Sequence, residues 1–211
     1  MTEIKTALCG RRVAESVSNM LYRDSSGAQC DSLFDEVRQA ELGALGRDLV
    51  AAAVLRGDFL LRSGQRSSYY IDKYLFTTQP ALLRRIGVAL LGLVPPGVDR
   101  LAAPGFGALQ LVTAMSLAGG LPTLVVRTDQ KEYGTAKRVE GALAAGERVL
   151  LIEDVVTTGG AALEAVDQLR AAGADVVGAL AVVDREQGGA AAFGQRQVPF
   201  RALFTRSSLG L

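Results

Sequence analysis

Nine consecutive residues, Glu153–Ala161 with the sequence EDVVTTGGA, combine two carboxylates, two hydroxyls and two adjacent glycines. Gly159 and Gly160 allow the backbone to turn and to present its N–H groups without a Cβ in the way. Such N–H groups, at the positive end of a following helix, suit a phosphate dianion, and the threonine hydroxyls add donors without adding charge. The acid pair, Glu153 and Asp154, lies just upstream, within reach of hydroxyls on a sugar that bears the phosphate. The segment therefore predicts a binding turn for a ribose 5-phosphate group.

The same nine residues could instead form an ordinary junction between a strand and a helix, with a threonine cap and a solvated acid pair. Each feature is common alone, and we favour the binding turn because all of them follow one apolar strand. Two other phosphate-binding motifs are excluded. No Gly-Lys-Ser/Thr follows, as a Walker A loop requires, and the glycines are adjacent rather than spaced as in the dinucleotide fingerprint.

The elements that must hold this turn follow a regular pattern from residue 100 onwards. Short apolar strands alternate with helical segments, which indicates βαβ units and a parallel sheet with helices on both faces. The carboxyl ends of such strands meet at one edge of the sheet, where ligands bind. The predicted strands are Arg100–Ala103, Pro122–Val126, Arg148–Ile152, Asp175–Val183 and Phe200–Phe204, and the predicted helices are Phe106–Ala118 and Gly160–Ala172.

The segment before residue 100 contains helical and strand-like patterns of a different kind. Apolar residues at roughly helical spacing predict an amphipathic helix over Leu33–Arg56. Tyr69 and Tyr70 are adjacent on a predicted strand, so they point to opposite faces and one of them belongs to the core. The predicted elements after the first helix are the strands Asp58–Leu61 and Ser68–Leu75 and a helix over Pro80–Leu93.

Composition excludes several classes of chemistry. The 211 residues include no histidine, which removes Ser-His-Asp and Cys-His catalysis and every histidine-based metal site. A net charge of +1 gives no electrostatic case for a nucleic-acid or membrane partner. No apolar run approaches the ~20 residues of a membrane span, and the N-terminus lacks the apolar region of a secretory signal, so we expect a cytoplasmic protein. Cys9 and Cys30 are then expected to be reduced.

Four stretches of the sequence resemble one known family. Leu150–Ala161 resembles the phosphoribosyl pyrophosphate (PRPP) signature of the type I phosphoribosyltransferases, in the variant seen in the orotate phosphoribosyltransferases. Gly57–Lys73 is similar to the family's N-terminal hood, Arg127–Gly134 to its mobile catalytic loop, and Val183–Gly189 to the segment that reads orotate. The resemblance covers about Leu45 to Leu211 and keeps the four motifs in the family's order.

The resemblance implies an α/β fold with a parallel-sheet type I phosphoribosyltransferase core at about 79–211, helices on both faces and a small N-terminal hood at about 57–78. These parts would form a single domain, residues 41–211, after an N-terminal extension of unknown role, residues 1–40. The implied enzyme transfers ribose 5-phosphate from Mg²⁺-bound PRPP to orotate, giving orotidine 5′-monophosphate and pyrophosphate. Relatives are homodimers with shared active sites, in which the mobile loop of one subunit reaches the PRPP of its neighbour.

The resemblance also assigns roles to individual residues. It implies that Mg²⁺ is bound through PRPP and not by direct protein ligands. The turn Pro104–Gly107 either contacts pyrophosphate, as in the family, or is a simple tight turn. The implied catalytic residues are Lys131, Glu153 and Asp154; those that bind orotate are Tyr70, Thr157 and Arg185; and the hood residue that contacts pyrophosphate is Arg62. The implied PRPP-binding residues are Arg127, Lys131, Glu153, Asp154, Val155, Val156, Thr157, Thr158, Gly159, Gly160 and Ala161.

Two loop positions depart from the family pattern, because Thr128 replaces a second lysine and Tyr133 replaces a histidine. One charge-assisted contact is worth roughly 1.5–3 kcal/mol, so either Lys131 and Arg127 suffice or the chain is a slow or repurposed relative. Two alternatives therefore stay open. The first is a phosphoribosyltransferase for another base, against which Arg185 argues because neutral bases offer no carboxylate. The second is a non-catalytic regulator that senses PRPP.

Overall fold

The computed structural model describes residues 27–60, 64, 66–127 and 137–211, and for residues 27–35 and 37 it describes the backbone alone. The chain divides into two compact units, Met1–Leu42 and Gly43–Leu211. None of the described helices combines the length and the apolar character that crossing a membrane requires.

The helices are α1 (Gly27–Ala53), α2 (Lys73–Thr77), α3 (Pro80–Leu91), α4 (Gly105–Gly119), α5 (Gly160–Ala171) and α6 (Gly189–Gln195). The strands are β1 (Val54–Leu60), β2 (Arg66–Ile71), β3 (Arg100–Pro104), β4 (Thr123–Val126), β5 (Val139–Glu140), β6 (Arg148–Val156), β7 (Asp175–Asp184) and β8 (Phe200–Thr205).

A six-stranded sheet in the order β5-β4-β3-β6-β7-β8 forms the centre of the unit Gly43–Leu211. The five strands β4, β3, β6, β7 and β8, in their order across the sheet, are parallel to their neighbours. The short edge strand β5 is antiparallel to β4. From β3 the chain proceeds outward to β4, whereas from β6 it proceeds outward in the other direction to β7 and β8. The direction of winding therefore changes between β3 and β6. The carboxyl ends of these two strands border the crevice in which open α/β sheets bind ligands.

Alternate residues of the central strands pack on opposite faces of the sheet. On β6, Leu150 and Ile152 belong to one apolar cluster, while Val149 and Leu151 belong to the other. The first cluster is completed by the carboxyl half of α1 together with α3 and α4, and the second by α5 and α6. Helices cover both faces, which confirms the predicted α/β class with its mostly parallel sheet.

The hood is an antiparallel pair formed by β1 and β2, and its boundaries differ from those predicted. Val54–Arg56 pair with residues of β2, so α1 ends at Ala53 instead of continuing to Arg56. The second predicted strand also ends early, because the Asp72 side chain accepts a hydrogen bond from the backbone N–H of Tyr74 at 3.0 Å. This cap starts α2 where a continuing strand was expected.

The strand that carries the acid pair is longer than predicted. β6 continues beyond Ile152 to Val156, so the acid pair lies within the strand and not after it. Val183 and Asp184 of β7 pair with the last residues of β6 and supply the hydrogen-bonding partners for this extension. Two further elements, β5 with 2 residues and α6 with 7 residues, were not predicted because they are too short to show a periodic pattern.

Candidate active site

The acid pair lies at the carboxyl end of β6, beside the first residues of α2 and α4. Asp154 is 3% exposed, and its Oδ1 accepts a hydrogen bond from the backbone N–H of Val155 at 2.7 Å. Its other oxygen, Oδ2, lies 3.1 Å from Nζ of Lys73, the first residue of α2. Glu153 is less buried, and its Oε2 accepts a hydrogen bond from the backbone N–H of Asp154 at 3.2 Å. The two adjacent carboxyl groups therefore have different partners, and only Asp154 is within ion-pair distance of a cation among the described residues.

The turn Pro104–Gly107, between β3 and α4, borders the same carboxylate. A Cβ atom at Gly107 would come 1.9 Å from Oδ2 of Asp154 and 3.0 Å from Cδ of Lys73. Any other residue would therefore displace the carboxylate or the lysine, and glycine is required for this close approach. Phe106, the preceding residue, is 80% exposed. The turn is thus part of the candidate site, and its contact with pyrophosphate stays a prediction.

Burial and neighbouring charges alter the pKa of Glu153 and of Lys73. Burial of the carboxyl group, followed by the adjacent charge of Asp154, raises the pKa of Glu153 to about 8, and the charge of Lys73 opposes this shift. For Lys73, burial lowers the pKa, but the charge and the hydrogen bond of Asp154 outweigh it, so the net pKa is raised. Two adjacent carboxyl groups beside a lysine cation offer several hydrogen-bonding groups to sugar hydroxyls.

We call residues Glu153–Ala161 the sugar-phosphate turn after their predicted role. The start of α6 packs against this turn. Gly159 has φ +80°, a conformation that favours glycine, and it precedes the first residue of α5. The backbone N–H of Gly189 donates to the carbonyl of Thr157 at 2.9 Å, and a Cβ at Gly189 would come 2.4 Å from Cγ1 of Val156. Thr158 and the first residues of α5 are exposed. The first N–H groups of a helix have no intrahelical acceptor, so this end of α5 is available to an anion.

Arg185 follows β7 and lies next to the sugar-phosphate turn. Its backbone N–H donates to the carbonyl of Val156 at 2.8 Å, which places it one strand away from Thr157. The residue is 6% exposed, and its Nε has no hydrogen-bond acceptor among the described residues. Its guanidinium lies over the ring of Tyr69 at 5.0 Å from the centroid. Tyr69 and Arg185 join the hood to the end of β7, and we call them the base-side contact after the orotate-binding role predicted for Arg185.

Tyr69 and Tyr70 occupy opposite faces of β2, as their adjacent positions predicted. Tyr69 is buried at 9% exposure and is the core residue of the two, whereas Tyr70 is 42% exposed. The ring of Tyr70 lies 5.7 Å from that of Phe59 on β1. The structure therefore brings Tyr69 to Arg185, while the assignment of Tyr70 to the base stays a prediction.

The remaining assigned residues belong to the loop and to the tip of the hood. Arg127 lies just after β4, donates its backbone N–H to the carbonyl of Arg138 at 2.8 Å, and has a guanidinium nitrogen 3.9 Å from Glu140. The residues Arg62, Thr128, Lys131 and Tyr133 lie outside the described residues. Their roles therefore stay predictions from the sequence.

Three residues of the site were not singled out from the sequence as site residues: Lys73, Tyr69 and Gly189. Lys73 follows Asp72 at the end of an aromatic strand. A charged residue at the end of a strand was the sequence feature that could have indicated a site residue here. The sequence did not distinguish Tyr69 from Tyr70 as the buried ring, because alternation separates the two faces of a strand without indicating which face is buried. The role of Gly189 depends on α6, a helix that was not predicted.

These features have counterparts in known proteins. Residues 101–192, from β3 into α6, match the family described as phosphoribosyl transferase domain. The chain is 45% identical over 157 residues to orotate phosphoribosyltransferase of Methanocella arvoryzae, covering 74% of this chain and 90% of the relative. It is 43% identical over 165 residues to orotate phosphoribosyltransferase of a Nocardioides species, covering 78% of this chain and 92% of the relative.

Solved structures agree with this match. A structure of Mycobacterium tuberculosis orotate phosphoribosyltransferase in complex with Fe(III) dicitrate superposes with a TM-score of 0.73 at 32% identity, covering 81% of this chain and 99% of that one. A structure of the M. tuberculosis enzyme in complex with PRPP gives a TM-score of 0.69 at 31% identity, with the same coverage. A parallel sheet that ends in an acid pair and a glycine turn at its switch point thus defines a type I phosphoribosyltransferase. The extent of identity then shows that the chain belongs to the orotate phosphoribosyltransferase family.

Proposed function

We propose that this protein transfers ribose 5-phosphate from PRPP to orotate, giving orotidine 5′-monophosphate and pyrophosphate in pyrimidine biosynthesis. The observation that carries the proposal is the placement of the sugar-phosphate turn and Arg185 on adjacent strands, joined by the hydrogen bond from Arg185 to Val156. In the reaction, the bond between the anomeric carbon and the pyrophosphate oxygen breaks, and a bond to the orotate nitrogen forms. The turn would bind the sugar phosphate, and Arg185 would bind the acceptor.

The sugar-phosphate turn would bind PRPP along its whole length. The backbone N–H groups and hydroxyls from Thr157 to Ala161 would bind the 5′-phosphate at the positive end of α5. Val155 and Val156, inside β6, would hold this turn against the sheet. The acid pair would bind the ribose hydroxyls and stabilise positive charge that develops at the anomeric carbon.

Arg185 would select the acceptor. A planar guanidinium can donate two parallel hydrogen bonds to a carboxylate, and the Nε of Arg185 is buried without an acceptor among the described residues. Tyr69 lies against the guanidinium and restricts its orientation. Thr157 and Tyr70 would complete the orotate site from the turn and from the hood. Orotate carries the carboxylate that this arrangement requires, whereas uracil, hypoxanthine and adenine do not.

PRPP would enter as its Mg²⁺ complex, and the cation would neutralise charge on the departing pyrophosphate. We assign no direct protein ligand to Mg²⁺, which would be held through PRPP. Lys131 and Arg127 from the loop, with Arg62 from the hood, would contact the pyrophosphate. Residues 1–40 would form an extension outside the single catalytic domain, residues 41–211.

The assay that tests the proposal measures the consumption of orotate with PRPP and Mg²⁺, beside uracil, hypoxanthine and adenine. Orotate should be consumed only when both PRPP and Mg²⁺ are present. If uracil or a purine reacts at least as fast, the chain transfers to another base. If PRPP binds but no base is consumed, the chain is a PRPP-sensing protein and not an enzyme.

We further propose a cytoplasmic homodimer in which the loop of one subunit completes the site of the other, without nucleic-acid or membrane partners. Mixing a Lys131→Ala chain with an Asp154→Asn chain should then restore activity, because one of the two hybrid sites would contain both original residues. Light scattering at micromolar concentration should show a dimer. A monomer, or mixtures without recovered activity, would contradict shared sites.

A further inference from the structure

Lys73 is the only described cation within ion-pair distance of the acid pair, and its position is set by several contacts. The backbone N–H of Asp72, the residue before it, donates to the carbonyl of Ala53 at 2.9 Å. The Asp72 side chain then caps α2 through the N–H of Tyr74. Lys73 is therefore the first residue of a helix with a hydrogen-bonded start, and its Nζ reaches Oδ2 of Asp154 at 3.1 Å.

The Asp154 carboxylate has little freedom to turn. Oδ1 accepts from the N–H of Val155 at 2.7 Å, Oδ2 faces Lys73, and Gly107 leaves space for Oδ2 only because it lacks a side chain. Three elements, the end of β6 and the starts of α2 and α4, thus meet at one carboxylate. The Asp154 side chain is 5% exposed, whereas that of Lys73 is 39% exposed, so the lysine connects a buried acid to the open side of the site.

We propose that Lys73 is a positioning residue for the acid pair: through its ion pair with Asp154 it holds the orientation of that carboxylate towards the ribose hydroxyls. This inference deepens the proposed function and depends on it for the identity of the sugar. A charge beside a second carboxyl group is unfavourable without a cation nearby, and Lys73 supplies that cation. Lys73 acts through Asp154, so we do not place it on the reacting atoms.

The pKa of Glu153 supports this arrangement. Among the described residues, the titratable and charged groups that face Glu153 are Asp154 beside it on β6 and Lys73 from α2, while Tyr74 lies next to Lys73. The α4 helix, which packs against the pair at Gly107, contains no charged residue. The charge of Lys73 lowers the pKa of Glu153, against burial and Asp154, which raise it. Removing the cation should therefore move the protonation of the pair to higher pH.

The test replaces Lys73 with Met, which keeps most of the side-chain volume, and with Arg, which keeps the charge. Lys73→Met should weaken PRPP binding by about tenfold, because a reoriented Asp154 would lose one charge-assisted contact with the ribose hydroxyls, and Lys73→Arg should restore most of the affinity. Calorimetric titration with Mg–PRPP across pH 6–10 should show the protonation of the acid pair at higher pH in Lys73→Met than in the original protein or in Lys73→Arg.

Arg100→Met is the matched control for the loss of a partly buried ion pair. Arg100 lies at the opposite end of β3, and its Nε is 2.6 Å from Oε2 of Glu147. This variant should lower the melting temperature but leave both the affinity for PRPP and its pH dependence unchanged. If Lys73→Met behaves like Arg100→Met, the Lys73–Asp154 pair serves stability alone and the proposal is wrong.

A double-variant comparison keeps the proposal testable if Lys73→Met loses stability. In an Asp154→Asn background, Lys73→Met should have no further effect on PRPP affinity, because its partner charge is already absent. A full additional loss there would show that Lys73 acts independently of Asp154. An original protein that binds PRPP with the expected pH dependence but does not consume orotate would overturn the proposed function and leave the role of Lys73 intact.

Discussion

The sugar-phosphate turn and the base-side contact lie at the same edge of the sheet, yet they are built from different kinds of chain segment. The turn, Glu153–Ala161, is one continuous stretch that carries its carboxylates, hydroxyls and glycines together. The base-side contact joins Tyr69 of the hood to Arg185 beyond β7, through a guanidinium 5.0 Å from the centre of a ring. A contact between elements so distant in the chain exists only after the sheet has formed.

Under the proposed function, this difference separates the binding of PRPP, by the turn, from the choice of base, by Arg185. The turn is anchored in β6 at the middle of the sheet, so on this proposal it would serve any reaction that uses a ribose 5-phosphate donor. The base-side contact depends on one buried guanidinium and one ring, and a single substitution can alter it. We therefore expect changes in the turn to lower kcat, and changes in the base-side contact to raise KM for orotate.

Asp154→Asn should have the largest effect. It preserves the shape of the side chain but removes a charge that faces the developing cation, so kcat should fall roughly 100-fold or more while orotate KM changes little. Steady-state kinetics with both substrates would measure this, and thermal unfolding would verify that the variant is folded at the assay temperature. Asp167→Asn, which alters an exposed ion pair with Arg196, is the control. An unchanged kcat would show that the charge of Asp154 has no role in the reaction.

Gly107→Ala should come next. The added Cβ would stand 1.9 Å from Oδ2 of Asp154, so the carboxylate or Lys73 must move. We expect kcat/KM for PRPP to fall about tenfold and the free energy of unfolding to fall by about 1–3 kcal/mol. Thermal unfolding and kinetics would measure both. Gly194→Ala is matched to it, because a Cβ there meets no atom within 4 Å and α6 should tolerate it.

Arg185→Ala addresses the other side of the comparison. Orotate KM should rise about tenfold or more, because one charge-assisted contact is worth roughly 1.5–3 kcal/mol, while PRPP KM should change much less. The matched substitution, Arg196→Ala, breaks a half-exposed ion pair with Asp167 and should leave both constants unchanged. Equal increases in the two KM values after Arg185→Ala would show that Arg185 does not bind orotate separately from PRPP, as proposed.

Thr128→Lys should have the smallest effect and the opposite sign. A lysine here would restore the cation usual in the family's loop, so kcat/KM for PRPP should rise by up to about tenfold, or ~1.4 kcal/mol of transition-state contact. The gain should shrink at high salt, because exposed charges are screened. Lys131→Ala should cost more than Thr128→Lys adds. If neither substitution changes the rate, Arg127–Gly134 is not the catalytic loop.

Local sequence determined the part of this site that is continuous in the chain. An apolar strand followed by two acids, two hydroxyls and two glycines predicted a sugar-phosphate turn, because each of its groups acts through backbone geometry or charge within a few residues. The structure shows a turn there, between β6 and α5, and its ligand stays a prediction. Strand and helix alternation likewise predicted the parallel sheet covered by helices. The absence of histidine excluded whole classes of catalysis before any fold was considered.

Tertiary structure decided the partners of those groups. Nothing near Asp154 in the chain indicates that Lys73 lies 3.1 Å from its carboxylate or that Gly107 must lack a side chain there. Alternation placed Tyr69 and Tyr70 on opposite faces, but only the packing of β2 against Arg185 selected Tyr69 as the buried ring. Likewise, β6 continues through the acid pair because β7 runs beside it to Asp184. Side-chain pairs and strand ends depend on which distant segments become neighbours, and a one-dimensional pattern does not contain that information.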